Sequence, residues 1–239
     1  AFNAGLDMEL PGDDCAQHLA TALERGLLTM AKVDEIVARV LTEKFRLGLF
    51  ERDFADKPFV PLRQPAARHA ALDVARQSIV LLENHGILPL QPSQKPQIAL
   101  IGPTAADPMA LLSGYSFPAH LILQDQTEGT DHIATPLQGL QAVFGAANVH
   151  YAQGCAILEQ RRSGAPVFPG DVAPAGVERV SPVSQSTDGF AEAEACAQAA
   201  DVAIVCVGDL AGLFQTGTVS EGSDTDSLSL PGVQQALLE

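Results

Sequence analysis

The sequence predicts an α/β fold in which a mostly parallel sheet carries helices on both faces, giving three α/β/α layers. Two short apolar runs, 97–101 and 201–207, are rich in branched side chains and end close to a glycine, as buried parallel strands do. Helical and strand-like segments alternate from residue 67 to the end of the chain. Such alternation is typical of parallel strands that are joined by crossover helices.

The run 201–207 is the segment around which the fold is predicted to be organised. It ends at Gly208-Asp209, and its composition predicts a strand that is covered on both faces. The loop 210–227 that follows holds glycines, hydroxyl side chains and three carboxylates. Because ligand-handling groups in open α/β sheets lie beyond the carboxyl ends of the strands, this loop is the best candidate for chemistry.

The first part of the chain predicts mainly helix. Residues 2–10 are compatible with a short strand, and 13–25 with a helix. Thr29 is typical of an N-cap, because apolar residues follow it with a 3.6-residue period until Gly48. Residues 51–66 hold three prolines and no periodicity, which predicts a linker between domains.

The remaining elements follow in the order that a doubly covered sheet requires. The irregular stretch 160–189, rich in Pro, Gly and Ser, predicts an exposed insertion. Helices are predicted at 67–79, 136–144 and 190–200, and strands at 97–102, 148–151 and 201–207.

Composition excludes several classes of partner. The formal net charge of −15 argues against nucleic acid and anionic membranes, because both bind basic surfaces. The chain has no apolar run long enough to span a bilayer. It begins without an initiator Met or a signal peptide, and both termini are interpreted as cuts through a longer protein, so the compartment is not readable.

No metal or cofactor motif is recognisable. The four cysteines are far apart, and no two of the six histidines are spaced four residues apart, so no metal site is predicted. Gly102 is followed by Pro103, which has no N–H for a phosphate, and neither a dinucleotide fingerprint nor a P-loop is present. A Gly-x-Ser-x-Gly nucleophile motif is also absent.

Carboxylates remain as candidates. Glu221 lies between Ser220 and Gly222, which leave its side chain unscreened, and Asp224 and Asp226 follow it. Cleavage of a glycosidic bond needs an acid for the departing oxygen and a second carboxylate for the developing cation. On composition alone, the same residues favour a solvated acidic loop before the helix that follows Pro231 over a catalytic site, and that alternative stays open.

The chain resembles the middle section of glycoside hydrolase family 3, the β-glucosidase and β-xylosidase family. The resemblance is carried by ordered motifs along the whole chain, among them Leu-Leu-Glu-Asn at 81–84, Ser-Gly-Tyr-Ser-Phe-Pro-Ala-His at 113–120 and Ser-Glu-Gly-Ser-Asp at 220–224. The other matching stretches are 3–11, 39–50, 75–80, 86–90, 98–103, 151–155 and 228–235.

The resemblance implies an architecture. Residues 1–50 correspond to the C-terminal end of a (β/α)8-type barrel domain, 51–66 to a linker, and 67–239 to an incomplete α/β sandwich domain. The family's active site lies between the two domains, and its nucleophilic Asp belongs to a Ser-Asp-Trp or similar motif in the barrel. This chain contains no Trp and no such motif, so the nucleophile is expected outside it.

The resemblance also implies a role for Glu221. The family's general acid/base is usually a Glu in a segment close to Glu-Gly-x-Asp-Arg before Leu-Pro-Gly, and Glu221 fits that segment. The expected Arg is Thr225 here, which leaves Asp224 without an ionic partner from that position. Asp209 and Asp224 are the possible supporting carboxylates.

The implied function is that of a retaining exo-acting β-glycosidase, a β-glucosidase or β-xylosidase that releases terminal non-reducing β-D-glycosyl residues. Its expected partners are a β-linked oligosaccharide or glycoside substrate and the barrel domain of the same protein, and no cofactor is expected. The isolated chain is expected to be inactive. The alternative is a non-catalytic carbohydrate-binding or structural α/β module, which a lack of effect on replacing Glu221 would favour.

Overall fold

The structure is a computed structural model that describes residues 1–10, 12–51, 61, 64–116, 120, 133–161, 181–213 and 216–239. Most of the predicted linker and of the predicted insertion at 160–189 lies outside the described residues. The chain divides into two compact units, Ala1–Leu82 and Glu83–Glu239. The domain boundaries expected from the resemblance stay a prediction.

The first unit is helical in its described part. Its helices are α1 (Leu19–Glu24), α2 (Met30–Arg46) and α3 (Pro65–Ser78). The strand predicted at 2–10 is wrong, because Phe2–Ala4 form a 3-10 turn that ends at Gly5. Gly5 has a φ of 105°, and its N–H donates to the carbonyl of Phe2, so the chain turns back instead of extending.

Helix α2 begins where the sequence predicts. The Thr29 side chain accepts a hydrogen bond from the N–H of Lys32, as an N-cap does. Farther along the helix, Arg39 binds both carboxylate oxygens of Asp7 through Nε at 3.0 Å, and it also pairs with Glu35 one turn earlier. This ion-pair network connects the N-terminal segment to the helix.

The second unit is built on a parallel sheet of β1 (Ile98–Ile101), β2 (Val149–Ala152) and β3 (Val202–Val205). The strands are ordered β2-β1-β3, with Ile98 level with Val149 and Val202. All four residues of the central strand β1 are buried. The predicted strand positions and their parallel pairing are confirmed.

Helices cover the two faces of the sheet. Helix α4 (Pro136–Phe144) packs against the face that carries Ile98 and Leu100, and helix α5 (Phe190–Gln198) packs against the face that carries Ala99 and Ile101. Large side chains fill the first core and small ones the second, which fits the Ala-rich composition of α5. The predicted three-layer α/β arrangement is therefore confirmed. A short last helix, α6, spans Gln234–Leu238.

Strand β3 differs from its prediction. It was predicted to be covered on both faces, yet its residues are only half-buried and Ala203 is exposed. The reason is its position beside β1 at the end of the described strand order, where α5 contacts β1 and β2. A continuous apolar run therefore marks a strand but does not establish that it lies in the centre of the sheet.

The connections between the strands lead to opposite sides of β1. The connection after β1 leads to β2 on one side, whereas β3 lies on the other side of β1. The connection from β1 to β2 contains α4 on one face, and the connection from β2 to β3 contains α5 on the other. This reversal makes the carboxyl ends of β1 and β3 a topological switch point, where open α/β sheets bind ligands. Gly102 follows β1 with a φ of 118°, and a Cβ there would lie 2.0 Å from the carbonyl oxygen of Cys206. The segments that follow β1 and β3 are therefore in direct backbone contact at the switch point.

Candidate active site

The loop after β3 is held by its own hydrogen bonds. The Thr218 hydroxyl accepts from the N–H of Leu210 and donates to Oδ1 of Asp209, each at 2.9 Å. The backbone repeats the contact, because the N–H of Thr218 donates to the carbonyl of Leu210 at 2.7 Å and Gly212 donates to Val219. The loop therefore doubles back on itself and presents residues 220–224 at a defined place.

A buried amide closes the base of this loop. Gln234 is fully buried, and its Nε2 donates to the carbonyls of Gly208 and Pro231 while its Oε1 accepts from the N–H of Gly208. The side chain thereby joins the end of β3 to the start of α6. Sequence analysis missed Gln234, because a Gln in an amphipathic helix reads as an exposed residue.

Glu221 lies at the tip of the loop in an unusual backbone setting. Ser220, which precedes it, has a φ of 101°, and Gly222, which follows it, has a φ of 74°. A non-glycine residue in this region of φ is held there at a conformational cost that often accompanies functional sites. The N–H of Ser223 donates to the carbonyl of Ser220 at 2.9 Å and stabilises the turn. The Glu221 side chain is exposed to solvent.

Tyr115 is the side chain that meets Glu221. Its hydroxyl donates to Oε2 of Glu221 at 2.7 Å. The hydrogen bond to this carboxylate is the main cause that raises the pKa of the exposed Tyr115, and slight desolvation and the charge of Glu221 act in the same direction. The sequence motif around Tyr115 contributed to the family resemblance, but sequence analysis gave the tyrosine no role, since 106 positions separate it from Glu221.

The structure brings Asp209 and Asp224 to a common cavity of about 430 Å³ within the second unit. Glu221 does not line it, although the segment that follows Glu221 does. The lining is rich in hydroxyl groups and comprises Ser181, Val183, Asp209, Gly217, Thr218, Gly222, Ser223, Asp224, Thr225, Ser227, Ser229, Leu230 and Pro231. The cavity can therefore both donate hydrogen bonds to a polyhydroxylated ligand and accept hydrogen bonds from it.

The cysteines of the second unit lie in surroundings that disfavour the thiolate form. Burial raises the pKa of Cys155 and Cys206, so their thiols stay protonated at neutral pH.

Among the residues that the structure describes, no group of three or more His, Cys, Asp and Glu side chains could hold a metal ion. No helix in the same described part is long and apolar enough to cross a membrane.

Comparison with known proteins assigns the chain to a family. Residues 79–239 match the model of the glycosyl hydrolase family 3 C-terminal domain. The chain belongs to glycoside hydrolase family 3. The family resemblance that the sequence motifs indicated is thus confirmed.

Relatives extend this family 3 assignment over the whole chain. Beta-D-xylosidase 1 of Arabidopsis thaliana is 30% identical over 100% of the chain, which covers 26% of that protein. A beta-xylosidase of Formosa agariphila is 29% identical over 100% of the chain, and the match covers 30% of that beta-xylosidase. Each relative is therefore three to four times as long as the chain.

Solved structures agree with the fold. A β-glucosidase of intestinal bacteria, involved in saponin metabolism, superimposes with a TM-score of 0.72 at 27% identity over 99% of the chain and 31% of its own length. The chain thus has the fold of the corresponding part of that β-glucosidase. Like the curated relatives, this enzyme extends well beyond the part that the chain matches.

Proposed function

We propose that the chain is part of a retaining exo-acting β-glycosidase, a β-glucosidase or β-xylosidase, and that Glu221 is its general acid/base. The observation that carries the proposal is the presentation of Glu221: an exposed carboxylate, on a self-bonded loop, at the carboxyl ends of the strands where the strand order reverses. Membership of family 3 and the β-xylosidase and β-glucosidase relatives support the reaction class.

The chemistry needs one proton carrier and one nucleophile. In the first step a carboxylate attacks the anomeric carbon, the bond to the leaving oxygen breaks, and Glu221 gives that oxygen its proton. In the second step the ionised Glu221 takes a proton from water as the water oxygen attacks the anomeric carbon, which breaks the glycosyl ester and regenerates both carboxyl groups. The sugar leaves with its configuration retained.

The nucleophile of this proposal lies outside the chain. A retaining pair needs carboxyl groups about 5–5.5 Å apart. We infer that an Asp of the preceding barrel domain, of which residues 1–50 form the end, supplies the second carboxylate. Asp209 and Asp224 are assigned supporting roles, because both line the hydroxyl-rich cavity next to the Glu221 turn and can accept hydrogen bonds from sugar hydroxyls.

The decisive experiment replaces Glu221 by Ala in the full-length enzyme. We expect kcat for an alkyl β-glycoside to fall by about 10²–10⁴-fold, the usual contribution of general acid–base catalysis. With an activated aryl glycoside, added azide should restore turnover and yield the glycosyl azide, because azide attacks the glycosyl-enzyme without a general base. Glu194→Ala, which removes an exposed carboxylate of α5, is the matched control and should change little.

Two outcomes would contradict the proposal. Unchanged turnover of the Glu221→Ala enzyme would favour the non-catalytic carbohydrate-binding or structural module instead. Turnover of an aryl β-glucoside or β-xyloside by the 239-residue chain alone would contradict the location of the nucleophile.

A further inference from the structure

Tyr115 and Glu221 reach each other from two neighbouring strands. Tyr115 lies on the connection that leaves β1, and Glu221 lies on the loop that leaves β3. Because β1 and β3 are paired and parallel, both connections start from the same edge of the sheet. The hydroxyl of Tyr115 then donates to Oε2 of Glu221 at 2.7 Å.

The backbone that carries Tyr115 is itself fixed against the Glu221 loop. A turn closes at residues 113–116, where the carbonyl of Ser113 accepts from both the N–H and the hydroxyl of Ser116. Gly114 lies against the loop, since a Cβ at this position would be 2.4 Å from Oγ of Ser220 and 3.4 Å from the buried Leu213. The tyrosine is therefore held next to the strained residue that precedes Glu221.

The two carboxyl oxygens of Glu221 have different surroundings, because Tyr115 binds only Oε2 in the described part of the chain. A hydroxyl that donates to Oε2 is satisfied both when the carboxyl is ionised and when it carries its proton on Oε1. An acid/base residue passes through both states in each turnover. One hydrogen bond can thus hold the side chain in place throughout, while Oε1 exchanges the proton.

We propose that Tyr115 is a positioning residue for Glu221, which keeps the carboxyl group oriented by binding Oε2 and leaves Oε1 for proton transfer. The proposal rests on the proposed function, in which Glu221 is the acid/base. It assigns a kinetic role to the Ser-Gly-Tyr-Ser turn at 113–116, which sequence analysis used only as a family motif.

The hydrogen bond between Tyr115 and Glu221 can be tested without measuring catalysis. The 239-residue chain has two tyrosines and no Trp. NMR of this chain with 13C-labelled tyrosine therefore shows signals from two tyrosine rings, and the Tyr115→Phe variant identifies which signal belongs to Tyr115. Titration should show that Glu221→Ala lowers the pKa of Tyr115 toward its ordinary value, because the carboxylate partner is lost. Asp226→Ala removes another exposed carboxylate of the same loop and should leave the pKa of Tyr115 nearly unchanged. Equal effects of the two variants would overturn the proposal.

The kinetic test uses the full-length enzyme and two leaving groups. Tyr115→Phe should lower kcat/KM about tenfold for an alkyl glycoside, whose leaving oxygen needs a proton, since small misplacements of a catalytic group have effects of this size or more. It should have little effect on a dinitrophenyl glycoside, whose leaving group needs none. A merely structural role would lower both values alike, and that result would overturn the proposal.

The two proposals fail in different ways. If Glu221→Ala leaves turnover unchanged, the acid/base assignment fails, and the positioning role that depends on it fails too, even if the titration shows the hydrogen bond. If Glu221→Ala abolishes turnover but Tyr115→Phe shows no difference between leaving groups, only the positioning role is overturned.

Discussion

Individual residues at the switch point differ in how far the sequence reveals them. Glu221 was found because its neighbours match a family motif, and the structure places it exposed on a turn. Tyr115 was not found, because its role depends on a contact between distant segments that no local pattern records. The same holds for Gln234, whose burial comes from the position of α6 against the end of β3.

Replacing Gln234 by Ala should destabilise the second unit. The change removes a fully buried amide and leaves the half-buried N–H and carbonyl of Gly208 without that partner, which costs about 1–3 kcal/mol. Urea unfolding followed by circular dichroism measures the loss. Gln235→Ala removes an exposed side chain that bonds only Glu239 in the described part, and it should change stability by less than about 0.5 kcal/mol. Equal losses in the two variants would contradict the role of the buried amide.

The strands and helices of the second unit were largely predictable. Helix α4 was predicted at its observed bounds, because Thr135 and Pro136 form a strong N-terminal signal and Phe144 is followed by glycine. The three strands follow from their apolar runs. What the runs could not supply is the strand order, which leaves β3 half-covered, because order depends on how the connecting helices pack.

Two glycines in different backbone settings should respond oppositely to Ala. Gly139 lies within α4 with open space around it, so Gly139→Ala should stabilise the unit by about 0.5–1 kcal/mol through helix propensity. Gly102→Ala forces a side chain into the backbone of Cys206 at positive φ and should destabilise by at least about 2 kcal/mol. Thermal unfolding of both variants checks the pair. A Gly102→Ala protein as stable as the parent would show that β1 and β3 do not approach so closely.

Across the whole molecule, charge is distributed unevenly between the units. Of the 14 Lys and Arg residues, 10 lie in Ala1–Leu82 together with 12 of the 29 Asp and Glu residues, so this unit has a net charge of −2 and the second unit −13. Among the described residues, five of the seven ion pairs lie in the first unit. There, hydrogen bonds from Arg39 lower the pKa of both Asp7 and Glu35.

Acid should therefore weaken the first unit. Because the folded-state pKa values of Asp7 and Glu35 are lowered, their stabilisation is complete above their ordinary values of 3.8 and 4.5 and is lost as pH falls through the lowered ones. Hydrogen exchange of α2 should accelerate below about pH 4. Arg39→Met should remove this acid step and accelerate exchange already at neutral pH. Arg46→Met, which breaks only an exposed pair with Glu43 in the described part, should behave like the parent. An acid step that persists in the Arg39→Met chain would contradict this origin.

The contact between Gly102 and the Cys206 carbonyl divides the molecule into a part that must be kept and a part that can be redesigned. This approach of Gly102 to Cys206 is made by main-chain atoms, so it does not depend on the side chains of 113–116 or 209–224. A library that varies exposed positions of 113–116 and 209–224 while retaining Gly102, Gln234, Tyr115 and Glu221 would therefore explore new aglycone preferences of the proposed glycosidase on an unchanged backbone.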